Sequence, residues 1–92
     1  MTDQALVEKA FTMLDKSYVP YSHFPVGAAL EGADGVIYTG CNVENAAFGS
    51  TLCAERTALV KAISEGCRSF TRLAVVGNSR SEEHTSELQS HI

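Results

Sequence analysis

Apolar residues recur at helical spacing from the N-terminus. Leu6, Val7, Ala10, Phe11, Met13 and Leu14 are interleaved with Gln4, Glu8, Lys9, Thr12, Asp15 and Lys16, the pattern of a helix with one face on a core. Thr2 or Asp3 supplies its N-cap, and the run is expected to close near Tyr18, because a residue preceding a proline, here Pro20, avoids the α region. The period then changes. Val26 to Leu30 and Val36 to Thr39 are short apolar or β-branched runs on either side of Glu31-Gly32-Ala33-Asp34-Gly35. Asp34-Gly35 accepts positive φ cheaply, so the two runs predict an antiparallel hairpin.

Gly40 through Gly49 is polar, holds two asparagines and reads as an irregular loop carried by the hairpin, where binding groups tend to sit. Ser50 or Thr51 is expected to cap a second helix running to about Glu65, with Leu52, Leu59, Ala62 and Ile63 on its apolar face and Gly66 ending it. Leu73 to Val76 reads as a third, buried strand closed by Gly77-Asn78. The predicted order is α-β-β-α-β, an α/β chain with a mixed sheet. Its strand-helix-strand unit from Val36 to Val76 forms a right-handed crossover if the two strands are parallel neighbours. There are no internal repeats.

With 92 residues, 45% of them apolar and 20% charged, the chain fits one domain. A domain of this size buries about 60–70% of its unfolded surface, which leaves a marginal core. The net charge of −4, with no basic run, argues against a phosphate-backbone partner. A small molecule or another protein is expected instead. The N-terminus lacks a basic segment leading into an apolar run, and no stretch of about eighteen apolar residues occurs, so neither export nor membrane spanning is indicated and a cytoplasmic location is the default. Cys41, Cys53 and Cys67 are odd in number and irregularly spaced. They read as reduced thiols, open to metal binding or catalysis.

Of the three, Cys53 stands in the most informative setting, Cys53-Ala54-Glu55-Arg56 at a helix start. Free N–H groups and the helix dipole favour a thiolate there, which is what a metal ligand needs. Residues two apart on a helix point about 200° from each other, so Cys53 and Glu55 share a target only if it lies end-on above the first turn. A lone helical cysteine is more often a small buried hydrophobe. The surrounding residues decide between these readings.

Cys53-Ala54-Glu55-Arg56-Thr57-Ala58-Leu59 resembles the zinc-site helix of cytidine deaminases. Pro20-Tyr21-Ser22, Phe24, Val26-Gly27-Ala28-Ala29-Leu30 and Gly40-Cys41-Asn42-Val43-Glu44-Asn45-Ala46-Ala47 resemble the same family in the same order, over about Leu6 to Val76. The resemblance implies a three-layer α/β/α fold, here incomplete, and a zinc-dependent hydrolysis of cytidine or deoxycytidine to the uridine and ammonia, in pyrimidine salvage. It also implies that Cys53 is a ligand of Zn²⁺, that Glu55 is the acid/base that moves the proton from water toward the ring and the leaving ammonia, and that Arg56 donates to the ligand sulfurs. Asn42 and Glu44 would grip the ribose hydroxyls, and Phe24 would pack on the pyrimidine face. Asn45, Ala46 and Phe48 would continue the loop that helps form a neighbouring subunit's pocket in a homotetramer. Many members carry tyrosine at the Phe48 position. His23, beside this group, has no partner at metal spacing and reads as an ordinary surface residue, as Cys41 and Cys67 read as ordinary thiols.

The family's Pro-Cys-x-x-Cys, carrying the second and third zinc ligands, is expected soon after Val76, yet no cysteine follows Cys67. Residues 1–79 thus read as the N-terminal part of a deaminase domain. Residues 80–92, Arg80-Ser81-Glu82-Glu83-His84-Thr85-Ser86-Glu87-Leu88-Gln89-Ser90-His91-Ile92, resemble the translation of a sequencing adapter and read as non-native. The chain as written is expected to be inactive, to hold no stoichiometric zinc and to leave a sheet edge unpaired. Two alternatives stand beside this reading, a non-catalytic fragment that only packs with full-length subunits and a deaminase of the blasticidin S type.

Overall fold

Thr2 opens the first helix: its Oγ1 accepts a hydrogen bond from the Ala5 amide at 3.1 Å, so one N–H of the first turn is satisfied by a side chain. In the computed structural model, which describes residues 2–20, 23–45, 50–77 and 84–91 (backbone alone for 45, 50–52 and 84–91), helix α1 spans Asp3–Phe11. It stops well short of Tyr18. The Thr12 amide is shared between the carbonyls of Glu8 and Lys9, at 3.2 Å each, and a 3₁₀ turn over Leu14–Lys16 comes next. The apolar periodicity continues past Thr12, but the sheet meets the helix there. The Ala10 carbonyl lies against Gly27 so closely that a Cβ would collide with it.

Strand β1, Gly27–Gly32, and strand β2, Ile37–Cys41, form the expected antiparallel hairpin, with Leu30 opposite Tyr38. In its turn Gly35 takes φ +85°, a conformation open to glycine at little cost, and the Asp34 carboxylate accepts from the Val36 amide at 3.0 Å. After the hairpin are two short strands, β3 (Val43–Asn45) and β4 (Ser50–Leu52), paired with each other. Next come helix α2, Ala54–Ser64, and strand β5, Ser69–Val76, antiparallel to the other edge of β1. The expected irregular segment thus contains a ladder. Because Ser50, Thr51 and Leu52 are extended within it, the helix cap moves to Cys53.

The main sheet runs β2-β1-β5-β6, where β6 is the backbone of His84–His91. Strands β2 and β5 are parallel to each other, but β1 lies between them, so the crossover through α2 spans a strand. Every neighbouring pair is antiparallel. The expected mixed sheet is therefore corrected: the hairpin returns β1 to the flank of β2 that a parallel neighbour would have needed. The sheet edge expected to be left unpaired by the missing strands is, at β5, paired with the backbone of residues 84–91.

The expected α/β class with helices on both sheet faces is present. Strand alternation sends Ala29, Ala74 and Val76 to one face, where they pack with Leu6, Val7 and Ala10 of α1. It sends Ala28, Leu30, Tyr38 and Phe70 to the other, against Ala54, Ala58 and Ala62 of α2 and Cys67. Gly40 lets α2 rest on the backbone of β2. A Cβ there would stand 2.5 Å from both the Ala54 carbonyl oxygen and the Ala58 nitrogen. Gly66, at φ +96°, ends α2 in the expected place.

Candidate functional site

The β3–β4 ladder positions the candidate residues. Val43 faces Leu52 and Glu44 faces Thr51. The residues next to this ladder are Asn42, at the exit of β2, and Cys53, at the entry of α2. Two segments separated by ten residues are held side by side by the ladder, and alternation places Asn42 and Glu44 on the same side of their strand.

Cys53 is the N-cap of α2, with extended backbone (φ −71°, ψ 151°). Its side chain caps nothing; its carbonyl accepts from the Thr57 amide at 2.9 Å and from the Thr57 hydroxyl at 3.1 Å. The thiol is exposed. Ala54 is buried at 1% exposure against Gly40, which anchors the helix by its first residue. Glu55 and Arg56 are exposed. The buried Ala54 thus separates two exposed groups, a thiol before the helix and a carboxylate in its first turn. An end-on target above the helix start is the arrangement that lets both serve one ligand.

Asn42 is buried and every one of its polar groups is engaged. Its amide donates to the Val26 carbonyl at 3.1 Å and its carbonyl accepts from the Tyr18 amide at 3.1 Å. Its Oδ1 accepts from the Val26 amide at 2.9 Å and its Nδ2 donates to the Phe24 carbonyl at 2.9 Å. Phe24 is half-exposed beside it, and Glu44 is buried, with its amide donating to the Tyr18 carbonyl at 2.8 Å. Tyr18 and Val43 form an isolated parallel bridge. Nothing in the sequence singles out Ser17, whose hydroxyl donates to the Val26 carbonyl at 3.2 Å, or Tyr18. Their placement results from the early end of α1, which the periodicity hides.

The structure ties Asn42 to Phe24 directly and sets Glu44 two residues further along the same segment, while Cys53, Glu55 and Arg56 stand at the start of α2, the helix that the β4 strand leads into. The side chain of Asn45, and Ala46 and Phe48 altogether, lie outside the described residues, as do Tyr21 and Ser22. Among the described residues no three His, Cys, Asp or Glu side chains gather as a metal-holding group. Cys41 and Cys67 are buried thiols, donating to the carbonyls of Lys16 and Ser69 at 3.4 Å and 3.3 Å. No helix among the described residues is long and apolar enough to cross a membrane.

Residues 1–84 match the family described as the cytidine and deoxycytidylate deaminase zinc-binding region. The chain is 53% identical over 79 residues to a cytidine deaminase of Sporosarcina psychrophila, covering 86% of this chain and 58% of that protein. It is 50% identical over 80 residues to one of Halalkalibacterium halodurans, covering 87% and 61%. The crystal structure of cytidine deaminase from Burkholderia pseudomallei superposes with a TM-score of 0.81 at 51% identity, over 87% of this chain and 65% of that one. The chain thus spans about six-tenths of the length of these relatives.

Proposed function

The chain belongs to the cytidine and deoxycytidylate deaminase zinc-binding family, and on that premise we propose that it carries the nucleoside-facing part of a site for hydrolytic deamination of cytidine or deoxycytidine. The observation that supports this reading is the β3–β4 ladder, which pairs the strand that carries Glu44 and follows Asn42 with the strand that leads into Cys53. Zn²⁺ is the cofactor of this family. A catalytic zinc takes about three protein ligands, and the residues present offer one, the Cys53 thiol. They fit part of the metal site and do not complete it.

The roles of this chain's own residues can still be stated. Glu55, exposed in the first turn of α2, accepts a proton at its carboxylate and returns it, as an acid/base must. Phe24 offers a ring face to a pyrimidine. Asn42 and Glu44 stand where the sugar hydroxyls would arrive, and a site that pairs a hydroxyl discriminates against ligands lacking it. Arg56 supplies positive charge beside the thiol. Asn45, Ala46 and Phe48 are assigned to the adjoining loop, shared with a neighbouring subunit of a cytoplasmic homotetramer acting in pyrimidine salvage. Residues 80–92 are assigned as non-native; a genomic read with those codons in frame would refute this.

The test is a pair of proteins. The 92-residue chain is expected to purify with far less than one zinc per chain and to form no uridine from cytidine. Residues 1–77 fused to the part of the Sporosarcina relative that this chain does not span are expected to bind one zinc per subunit and to deaminate cytidine. In that fusion Glu55→Gln should lower the rate by at least about 10²-fold, and Cys53→Ser should lower the zinc content. A fusion that binds zinc yet turns over no member of a nucleoside panel, blasticidin S included, would overturn the reading.

A further inference from the structure

Beyond the Gly27–Cys41 rung the β1–β2 ladder is incomplete: the Asn42 carbonyl, which would take the Val26 amide in a regular antiparallel pair, accepts from the Tyr18 amide instead, so the Val26 amide just after Pro25 has no ladder acceptor. The groups on either side of Pro25 are held by one residue. The Asn42 side chain accepts from the Val26 amide and donates to the Phe24 carbonyl, at 2.9 Å each, and the Asn42 amide donates to the Val26 carbonyl at 3.1 Å. The same residue holds the other end of the loop, through the Tyr18 amide at 3.1 Å. Between these ends the chain turns through His23, a non-glycine residue at φ +58°. Such a conformation persists only where its surroundings over-determine it.

We propose that Asn42 is the positioning residue of Phe24: its side-chain amide replaces the ladder acceptor that the Asn42 carbonyl gives up to Tyr18 and reaches the Phe24 carbonyl as well, and so sets the depth and angle of the aromatic ring. This rests on the reading that Phe24 meets the pyrimidine. It adds that Asn42 acts on the base through Phe24, whatever contact it makes with a sugar. An amide is required because it presents an acceptor and a donor to two backbone groups at once. Aspartate keeps the acceptor for Val26 and turns a second oxygen toward the Phe24 carbonyl, where two acceptors repel.

The experiment uses the 92-residue chain labelled with 4-fluorophenylalanine, the Phe24 resonance being assigned through Phe24→Leu. Asn42→Asp is expected to shift and broaden that resonance in the ligand-free protein. It is also expected to weaken binding of cytosine, which has no sugar, by about tenfold, comparable to losing one buried hydrogen bond, and to weaken cytidine at least as much. A Phe24 resonance unmoved in folded Asn42→Asp would overturn the proposal, as would weaker cytidine binding with cytosine unaffected. Should Asn42→Asp fail to fold, hydrogen exchange of the unsubstituted chain decides. The Val26 amide must be protected, and a Val26 amide exchanging at the rate of an open loop would overturn the proposal. Both ligands are measured with the fusion of residues 1–77 described above; if that fusion binds neither cytosine nor cytidine, the pyrimidine reading fails, while the Phe24 resonance of the 92-residue chain still decides the positioning role.

Discussion

Arg72 joins three elements through one guanidinium. It meets the Glu31 carboxylate on β1 through two nitrogens at 2.9 Å each, and the Asp3 carboxylate of α1 at 2.6 Å. The Thr71 hydroxyl adds a bond to the same Glu31 oxygen at 2.7 Å. Arg72 and Thr71 together hold the Glu31 carboxyl down at about 2, from an ordinary 4.5. A carboxylate whose pKa is lower in the folded state stabilises the fold above its unfolded pKa, and that contribution is lost as pH falls through the folded value. The contribution of Glu31 is therefore complete above about pH 5 and disappears between pH 4.5 and 2. Glu31→Gln should lower stability at pH 7 by about 1–2 kcal/mol, a moderate figure because the pair is partly in solvent. Urea titrations at pH 7 and pH 2.5 check this: the gap between the two proteins should be several times smaller at the second than at the first. An equal gap at both would place the effect in packing instead of charge.

At the scale of elements, the candidate site depends on where α2 begins. Its alanine seam, Ala54, Ala58 and Ala62, is buried with at most 1% exposure, and Gly40 lets that seam touch the backbone of β2. Gly40→Ala would put a Cβ 2.5 Å from two backbone atoms of the helix, so α2 must shift. Overpacking of this kind costs about 1–3 kcal/mol, and since Cys53 and Glu55 ride on the helix start, they shift with it. Denaturant unfolding of Gly40→Ala checks the energy; a midpoint unchanged from the parent would show that β2 and α2 yield freely. The same seam shows why the helix is only partly legible in the sequence. Leu59, Ala62 and Ile63 reveal an apolar face by hydropathy, whereas Ala54 and Ala58 are small residues whose burial depends on a glycine on another element. The cap is hidden for a related reason: Ser50 and Thr51 are good caps locally, but pairing with β3 holds them extended. The early end of α1 and the Asn42 bracket are likewise tertiary, arising where Gly27 meets Ala10 and where Tyr18 takes the Asn42 carbonyl out of the β1–β2 ladder. The hairpin turn, by contrast, is readable because Asp34 and Gly35 act locally.

At the scale of the molecule, β5 joins β1 to the last strand of the sheet. One of its edges pairs with β1, and its other edge pairs with the backbone of His84–His91. Its apolar residues alternate, with Ala74 and Val76 under α1 and Leu73 and Val75 toward α2. A strand so placed has both faces committed, and the row of amides and carbonyls on its second edge depends on β6 for partners. An uncovered strand edge of this length is a template for another chain. Ending the chain at Gly77 removes the segment that pairs there, so the shortened protein is expected to self-associate through β5. Sedimentation velocity over a range of concentrations should show the 92-residue chain sedimenting as smaller species than the 77-residue one. Thr71→Lys, at an exposed position on β5, should reverse that association, because a charge on an edge strand opposes edge-to-edge pairing. A 77-residue chain that stays as dispersed as its parent would show that residues 84–91 do not protect the edge. In that case the apolar faces of β5, and not its hydrogen-bonding row, would set how this part of the fold recognises an added strand or helix.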